Sequence, residues 1–212
     1  MPTPTKPFYR RHLPHLQPEP NRRYFLTTRL AGSLPATCKP ITRLLDHGQA
    51  FAHWDHTLDR ASTGPKHLAN PQIAQLVADA LHFAQDKLNL YRLHAWVIMS
   101  NHIHLLLTAH SPLPQITKAI KNYTARQANE ILHRQGHPFW RHETYDHLIR
   151  HDDEFSRIHH YIEQNPVAAG LVSRPEDYPW SSANPTARQA SGCCAVRQAS
   201  GLSGESQGGS PY

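Results

Sequence analysis

The sequence predicts an α+β fold: an antiparallel sheet with helices packed on one face. Three observations carry this expectation. Residues 71–88 place Ile73, Leu76, Val77, Ala80, Leu81 and Ala84 at helical spacing. Residues 91–99 and 102–108 are two strand-like runs separated only by Ser100-Asn101, which makes a hairpin. A second helical pattern then begins at 114, so a hairpin lies between two helices in the chain.

The remaining elements follow in order. Residues 1–21 are rich in proline and basic side chains and read as an extended basic arm. A first strand is expected at 23–30, where Tyr24, Leu26 and Thr28 alternate with Phe25, Thr27 and Arg29. Residues 31–70 read as loop, with room for a short helix near 41–46. Asn70 and Pro71 are the cap and first residue of the helix at 71–88. The second helix, 114–134, carries Ile116, Ile120, Tyr123, Ala128, Ile131 and Leu132 on one stripe and ends before Gly136 and Pro138. A short strand at 144–149 precedes a third helix at 153–164, capped by Asp152 and closed by Pro166. Residues 184–212 are Ser-, Gly- and Gln-rich, contain RQASG twice, and read as a disordered low-complexity tail. One domain, 22–183, remains between arm and tail.

Composition bounds the function. The chain has 212 residues and 39% hydrophobic content, enough for one core. Twenty-two basic against 16 acidic residues leave a formal charge of +6, which favours a polyanionic partner. The three cysteines form no C-x-x-C pair and no disulfide framework. No leader and no membrane-length apolar run is visible, so a cytoplasmic protein without membrane partners is expected.

The chemistry centres on Asn101-His102-Ile103-His104. Strand side chains alternate, so His102 and His104 share a face while Ile103, Leu105 and Leu107 turn to a core. Two imidazoles at i and i+2 form half of a metal site, although in a chain with 18 histidines the spacing alone also fits two unrelated ones. On the third helix, Tyr161 and Asn165 are i and i+4 and sit one above the other. By themselves they read as a packed tyrosine and an asparagine ending a helix. An H-x-H-x-D metallohydrolase is disfavoured, because Leu106 stands at the fifth position.

Between about Arg11 and Ser182 the sequence resembles the REP-associated tyrosine transposases of the single-tyrosine HUH, insertion-sequence-200-like family. The matching pieces are HAWVIMSNHIHLLL at 94–107, GHPFWRHETYDHLIR at 136–150, YIEQNPVAAGLV at 161–172 and PEDYPWSS at 175–182. One departure is Ser100, where relatives often carry proline. The resemblance implies a ferredoxin-like antiparallel sheet with the HxH on a central strand. It implies that His102, His104 and Asn165 hold a divalent metal, Mg²⁺ or Mn²⁺, and that Tyr161 is the nucleophile on single-stranded or hairpin DNA. Arg22, Arg23, Lys118, Lys121, Arg126 and Arg141 are the candidate phosphate contacts, and Trp140 and Tyr145 the candidate base-stacking aromatics. Trp96 and Trp180 read as core. Tyr123 is a competing nucleophile but reads as core, since Gln127 at i+4 has no match in the family pattern. The competing function is a domesticated nucleic-acid-binding protein of the same fold without catalysis. Both a monomer and a homodimer are compatible with the sequence.

Overall fold

The computed structural model describes residues 8–10, 14–16, 21–34, 58 and 64–189. Two short strands, β1 (Phe8–Arg10) and β2 (Pro14–Leu16), pair antiparallel within the segment expected to be an extended arm. The body comprises β3 (Arg23–Arg29), α1 (Pro71–Asp86), β4 (Tyr91–Ile98), β5 (His102–Ala109), α2 (Leu113–Ile131), β6 (Tyr145–Ile149), α3 (Asp152–Ala168) and the short α4 (Pro185–Gln189). The helix expected near 41–46 lies outside the described residues.

β3 to β6 form one antiparallel sheet in the order β4-β5-β3-β6. Strand–helix–strand–strand–helix–strand in that spatial order is the ferredoxin-like arrangement, with the HxH on an inner strand. Backbone from 180 to 182 runs along the outer edge of β4, where Ile98 N–H donates to the Trp180 carbonyl and Ser182 N–H to that of Trp96. This covers a sheet edge that would otherwise expose unpaired groups.

The helices are not all on one face, contrary to the expectation. Tyr24, Leu26, Trp96, Ile98, Ile103, Leu105 and Leu107 pack with α1 and α2. Phe25, Ala95, Val97 and Leu106 form a second cluster with Ile162 of α3. A strand with buried residues on both faces needs a cover on each side, and β3 and β5 are buried almost throughout.

Local signals hold where the cap chemistry is explicit. Asn70 Oδ1 accepts from Gln72 N–H at 2.9 Å, with Pro71 as the first helical residue. Two details differ. Asp152 is the first helical residue of α3, and His151 precedes it as the cap. Pro166 lies inside α3, which runs on to Ala168. Proline removes only its own N–H bond to the Ile162 carbonyl, and the helix ends instead near Gly170, at φ 70°. Asn165 is therefore held within a helical turn, not at a frayed end.

On α2 the buried stripe is Leu113, Ile116, Ile120, Thr124 and Ala128. Its later steps are all four residues, so the stripe passes through Thr124 and leaves Tyr123 49% exposed; Ile131 is also exposed. Just past 183, Asn184 Nδ2 donates to the Glu176 carbonyl, its Oδ1 caps α4, and Ala187 packs on the core. Residues 190–212 lie outside the described residues.

Candidate active site

Register between β3 and β5 builds the site. β5 places Ile103 opposite Thr28 and His104 opposite Thr27, and Arg29 stands opposite His102. His102, His104, Phe25, Thr27 and Arg29 thus share the sheet face that α3 covers. Both histidines are 0% exposed. Their Nε2 atoms are 3.0 Å apart.

The other ring nitrogens are held. His102 Nδ1 lies 2.7 Å from Asn101 Oδ1, and Asn101 Nδ2 donates to the Leu58 carbonyl at 2.9 Å. With its amide nitrogen committed to Leu58, Asn101 can offer His102 only an acceptor. His102 therefore carries its proton on Nδ1 and presents a lone pair on Nε2. His104 Nδ1 is 2.8 Å from Thr27 Oγ1, a hydroxyl that accepts as readily as it donates.

This set fits a divalent ion. Ligand nitrogens about 2.1 Å from an octahedral ion and about 90° apart sit about 3.0 Å from each other, whereas a tetrahedral ion opens them to about 3.4 Å. The Nε2 separation is close enough for one ion to bridge both rings, and it is equally the length of an N–H···N hydrogen bond between them. Among the described residues no cluster of three His, Cys, Asp or Glu completes such a site, so further ligands must be of another type, such as an amide oxygen.

α3 supplies the remaining groups. The Tyr161 ring lies 5.9 Å from that of His104 and 6.4 Å, edge-on, from Phe25, which itself stacks on His104 at 5.4 Å. Asn165, one turn on and 2% exposed, donates from Nδ2 to the Tyr161 hydroxyl at 3.4 Å. The structure thus brings Tyr161 beside the histidine pair, with Asn165 bonded to it.

Polar links dock α3 on the sheet. Arg23 contacts Asp152 at 2.6 Å and lies over the Phe155 ring. His147 of β6 bonds Glu154 at 2.7 Å. Burial pushes the Glu154 carboxyl up, but its bonds to His147 and the Arg150 amide outweigh this and hold it below the ordinary range. Glu163 accepts from the Ser182 hydroxyl, whose oxygen accepts from Trp96 N–H.

The candidate phosphate contacts do not converge on the histidines. Arg22, Lys118, Arg126 and Arg141 have exposed side chains. Lys118, Lys121 and Arg141 line a cavity of about 700 Å³ between α2 and residues 137–146, on the opposite face of the sheet. Two of the candidates make bonds within the fold. Arg23 is engaged by Asp152, and Lys121 Nζ donates to the Arg141 and His142 carbonyls at 2.9 and 3.1 Å. Burial lowers Lys121 to about 8.

Trp140 is buried, with Nε1 donating to Thr124 Oγ1, so it belongs to the core and not to base stacking. Trp96 is core as expected, and Trp180 is partly buried against the core. Tyr145 packs edge-on to Phe25 at 6.4 Å, and burial raises its phenol to about 12. Tyr123 is not core, yet α2 packs on the far face from the histidines. The sequence reading passed over Arg29, Asn101 and Thr27. The alternation in 23–30 placed Arg29 with Phe25 and Thr27, but only the register sets it across from His102.

Residues 65–165 match the family described as Transposase IS200 like. The resemblance drawn from the motifs is borne out, and the match supports a transposase role. The matched stretch contains His102, His104, Tyr161 and Asn165. Among solved structures, a REP-associated tyrosine transposase bound to a REP hairpin is similar at TM-score 0.50 and 18% identity. That likeness covers 82% of this chain and 80% of the other, and it supports the fold. A transposase-like protein from Deinococcus radiodurans R1 has TM-score 0.37 and 19% identity, over 68% of this chain and 89% of that one. No curated protein matches the chain.

Proposed function

We propose that this chain is a divalent-metal-dependent DNA transposase that cleaves and rejoins single-stranded, hairpin-forming DNA through Tyr161. The observation that carries the reading is the Tyr161 phenol packed against His104, whose Nε2 faces that of His102 at 3.0 Å. His102 and His104 would hold Mg²⁺ or Mn²⁺ through Nε2. Asn165 would add its Oδ1, since its Nδ2 end is turned to Tyr161. The bound ion would polarise the scissile phosphate and offset developing charge.

The protein's own groups do the rest. Tyr161 Oη loses its proton and attacks phosphorus, and the P–O3′ bond breaks. The departing 3′ oxygen takes up a proton, and the 5′ phosphate stays on the tyrosine. The Asn165 amide donates to Oη and strengthens that bond as the oxygen gains charge. Arg29, opposite His102 in the register and donating from one guanidinium nitrogen to Ser33 Oγ at 3.2 Å, would offer its other N–H groups to a phosphate oxygen at the cut. Arg22, Lys118, Arg126 and Arg141 hold flanking DNA by its backbone, which positions without reading sequence. The phosphodiester energy is kept in the phosphotyrosine, so a second 3′-hydroxyl reverses the step without ATP.

The test is incubation of the full chain with labelled single-stranded hairpin DNA and Mn²⁺. A covalent protein–DNA adduct that resists detergent and disappears in EDTA is expected. Tight DNA binding with no adduct under any divalent ion would instead identify a binding protein that has lost the chemistry.

A further inference from the structure

We infer that Asn101 is a positioning residue that sets the tautomer of His102 and ties it to the Leu58 carbonyl, and that Thr27 supports His104 in the same sense once an ion is bound. The inference rests on the metal-site reading above. For two imidazoles to share an ion, both Nε2 atoms must offer lone pairs, so both protons must sit on Nδ1.

Nothing in the HxH spacing provides this. A free imidazole exchanges its proton between the two nitrogens, and one Nε2–H at 3.0 Å would donate to the other ring and close the site. For His102 the choice is made by a chain of fixed directions. The Leu58 carbonyl can only accept, so the Asn101 amide presents its nitrogen to Leu58 and its oxygen to His102 Nδ1. The Asn101 carbonyl also accepts from Leu30 N–H at 2.9 Å, which holds the residue at the start of β5. Asn101 and Leu58 are both buried, so water does not compete for these bonds.

Thr27 does the corresponding work on His104 from the neighbouring strand. Its hydroxyl could donate to Nδ1, but His104 would then have to carry its proton on Nε2, toward His102. An ion on the pair removes that alternative, and Thr27 then accepts. Asn101 thus fixes one ring outright, whereas Thr27 supports the other once the ion binds. Partners of this kind are worth about 10–100-fold in metal affinity.

The test uses the full chain and two readouts besides turnover. Long-range ¹⁵N–¹H NMR at one pH in the metal-free protein reads which nitrogen of His102 carries hydrogen, and electron paramagnetic resonance of free Mn²⁺ reads affinity. The unsubstituted chain should show His102 protonated on Nδ1. Asn101→Ala should mix the tautomers and weaken Mn²⁺ binding about 10–100-fold. Asn101→Asp keeps the acceptor on Nδ1 and should keep His102 protonated there, a rescue that a purely structural role does not predict, while its carboxylate loses the bond to the Leu58 carbonyl and should lower the melting midpoint. Thr27→Val, nearly isosteric, should weaken Mn²⁺ binding while leaving His102 unchanged. His102 still on Nδ1 in Asn101→Ala, or Mn²⁺ affinity unchanged there and in Thr27→Val, overturns the inference. If Asn101→Ala does not fold, Asn101→Asp and Thr27→Val decide in the same way. If the unsubstituted chain binds no Mn²⁺, the metal-site reading has failed, and the His102 tautomer still decides the role of Asn101.

Discussion

Tyr161→Phe separates chemistry from packing, because it removes one oxygen and keeps the ring. The oxygen's bond from Asn165 Nδ2 is 3.4 Å long, beyond the usual range of about 2.7–3.2 Å, so its loss should cost less than about 1 kcal/mol. The ring contacts to Phe25 and His104, at 6.4 and 5.9 Å, are retained. In a domain of this size about 1 kcal/mol corresponds to about 2–4 °C, so the melting midpoint should fall by no more than that. Hairpin DNA binding should stay within a few-fold, since phosphate contacts carry it. Covalent adduct should vanish entirely, as no oxygen remains to be phosphorylated. The assay is a denaturing gel with 5′- and 3′-labelled hairpins and Mn²⁺, run beside Tyr123→Phe, which should behave as the parent. Adduct surviving in Tyr161→Phe and lost in Tyr123→Phe would refute the assignment.

Three further outcomes are expected. Mn²⁺ at a hundred times its dissociation constant should stabilise the fold by about 2.7 kcal/mol, or about 5–10 °C, and His104→Ala should abolish the shift; a midpoint indifferent to Mn²⁺ and EDTA in the parent would show that no ion is held. Ser182→Ala strips the buried Trp96 N–H and Glu163 of a shared partner and should cost about 1–3 kcal/mol by chemical denaturation, whereas no loss would mean that the 180–182 edge is not bonded this way. Lys121 has a depressed folded value of about 8, so between there and its unfolded value near 10.5 the unfolded chain binds the extra proton and stability rises with pH; Lys121→Met should flatten that rise in midpoints taken at pH 7.5, 8.5 and 9.5, and an unchanged slope would refute it.

What the sequence disclosed depended on the distance over which each signal acts. The HxH face and the Tyr161–Asn165 spacing were legible because strand and helix periodicity settle them within a few residues. The Tyr123 reading failed on the same local ground, since an apolar stripe can pass through either of two adjacent residues. Thr124, with its bond to Trp140, took the place. Pro166 misled in another way: near a helix end it marks a missing hydrogen bond, not the last residue.

Asn101 and Thr27 were opaque for a different reason. Their partners lie 43 and 77 residues away, so in sequence they are a turn asparagine and a β-branched strand residue. The same holds for the side of the sheet that α3 covers. Its apolar stripe says that it must be buried, and the choice of face follows only from Phe25 and Leu106 needing cover opposite α1 and α2. A one-residue slip of β3 against β5 would replace Thr27 opposite His104 by Leu26, which has no hydroxyl for Nδ1, or by Thr28, and either slip exchanges the two faces of β3. It would also turn Tyr24 and Leu26 out of the α1/α2 core, so hydrophobic burial on that face holds the alignment on which the histidine pair depends. The core under α1 and α2 therefore acts on the site from the opposite side of the sheet, without contributing a residue to it.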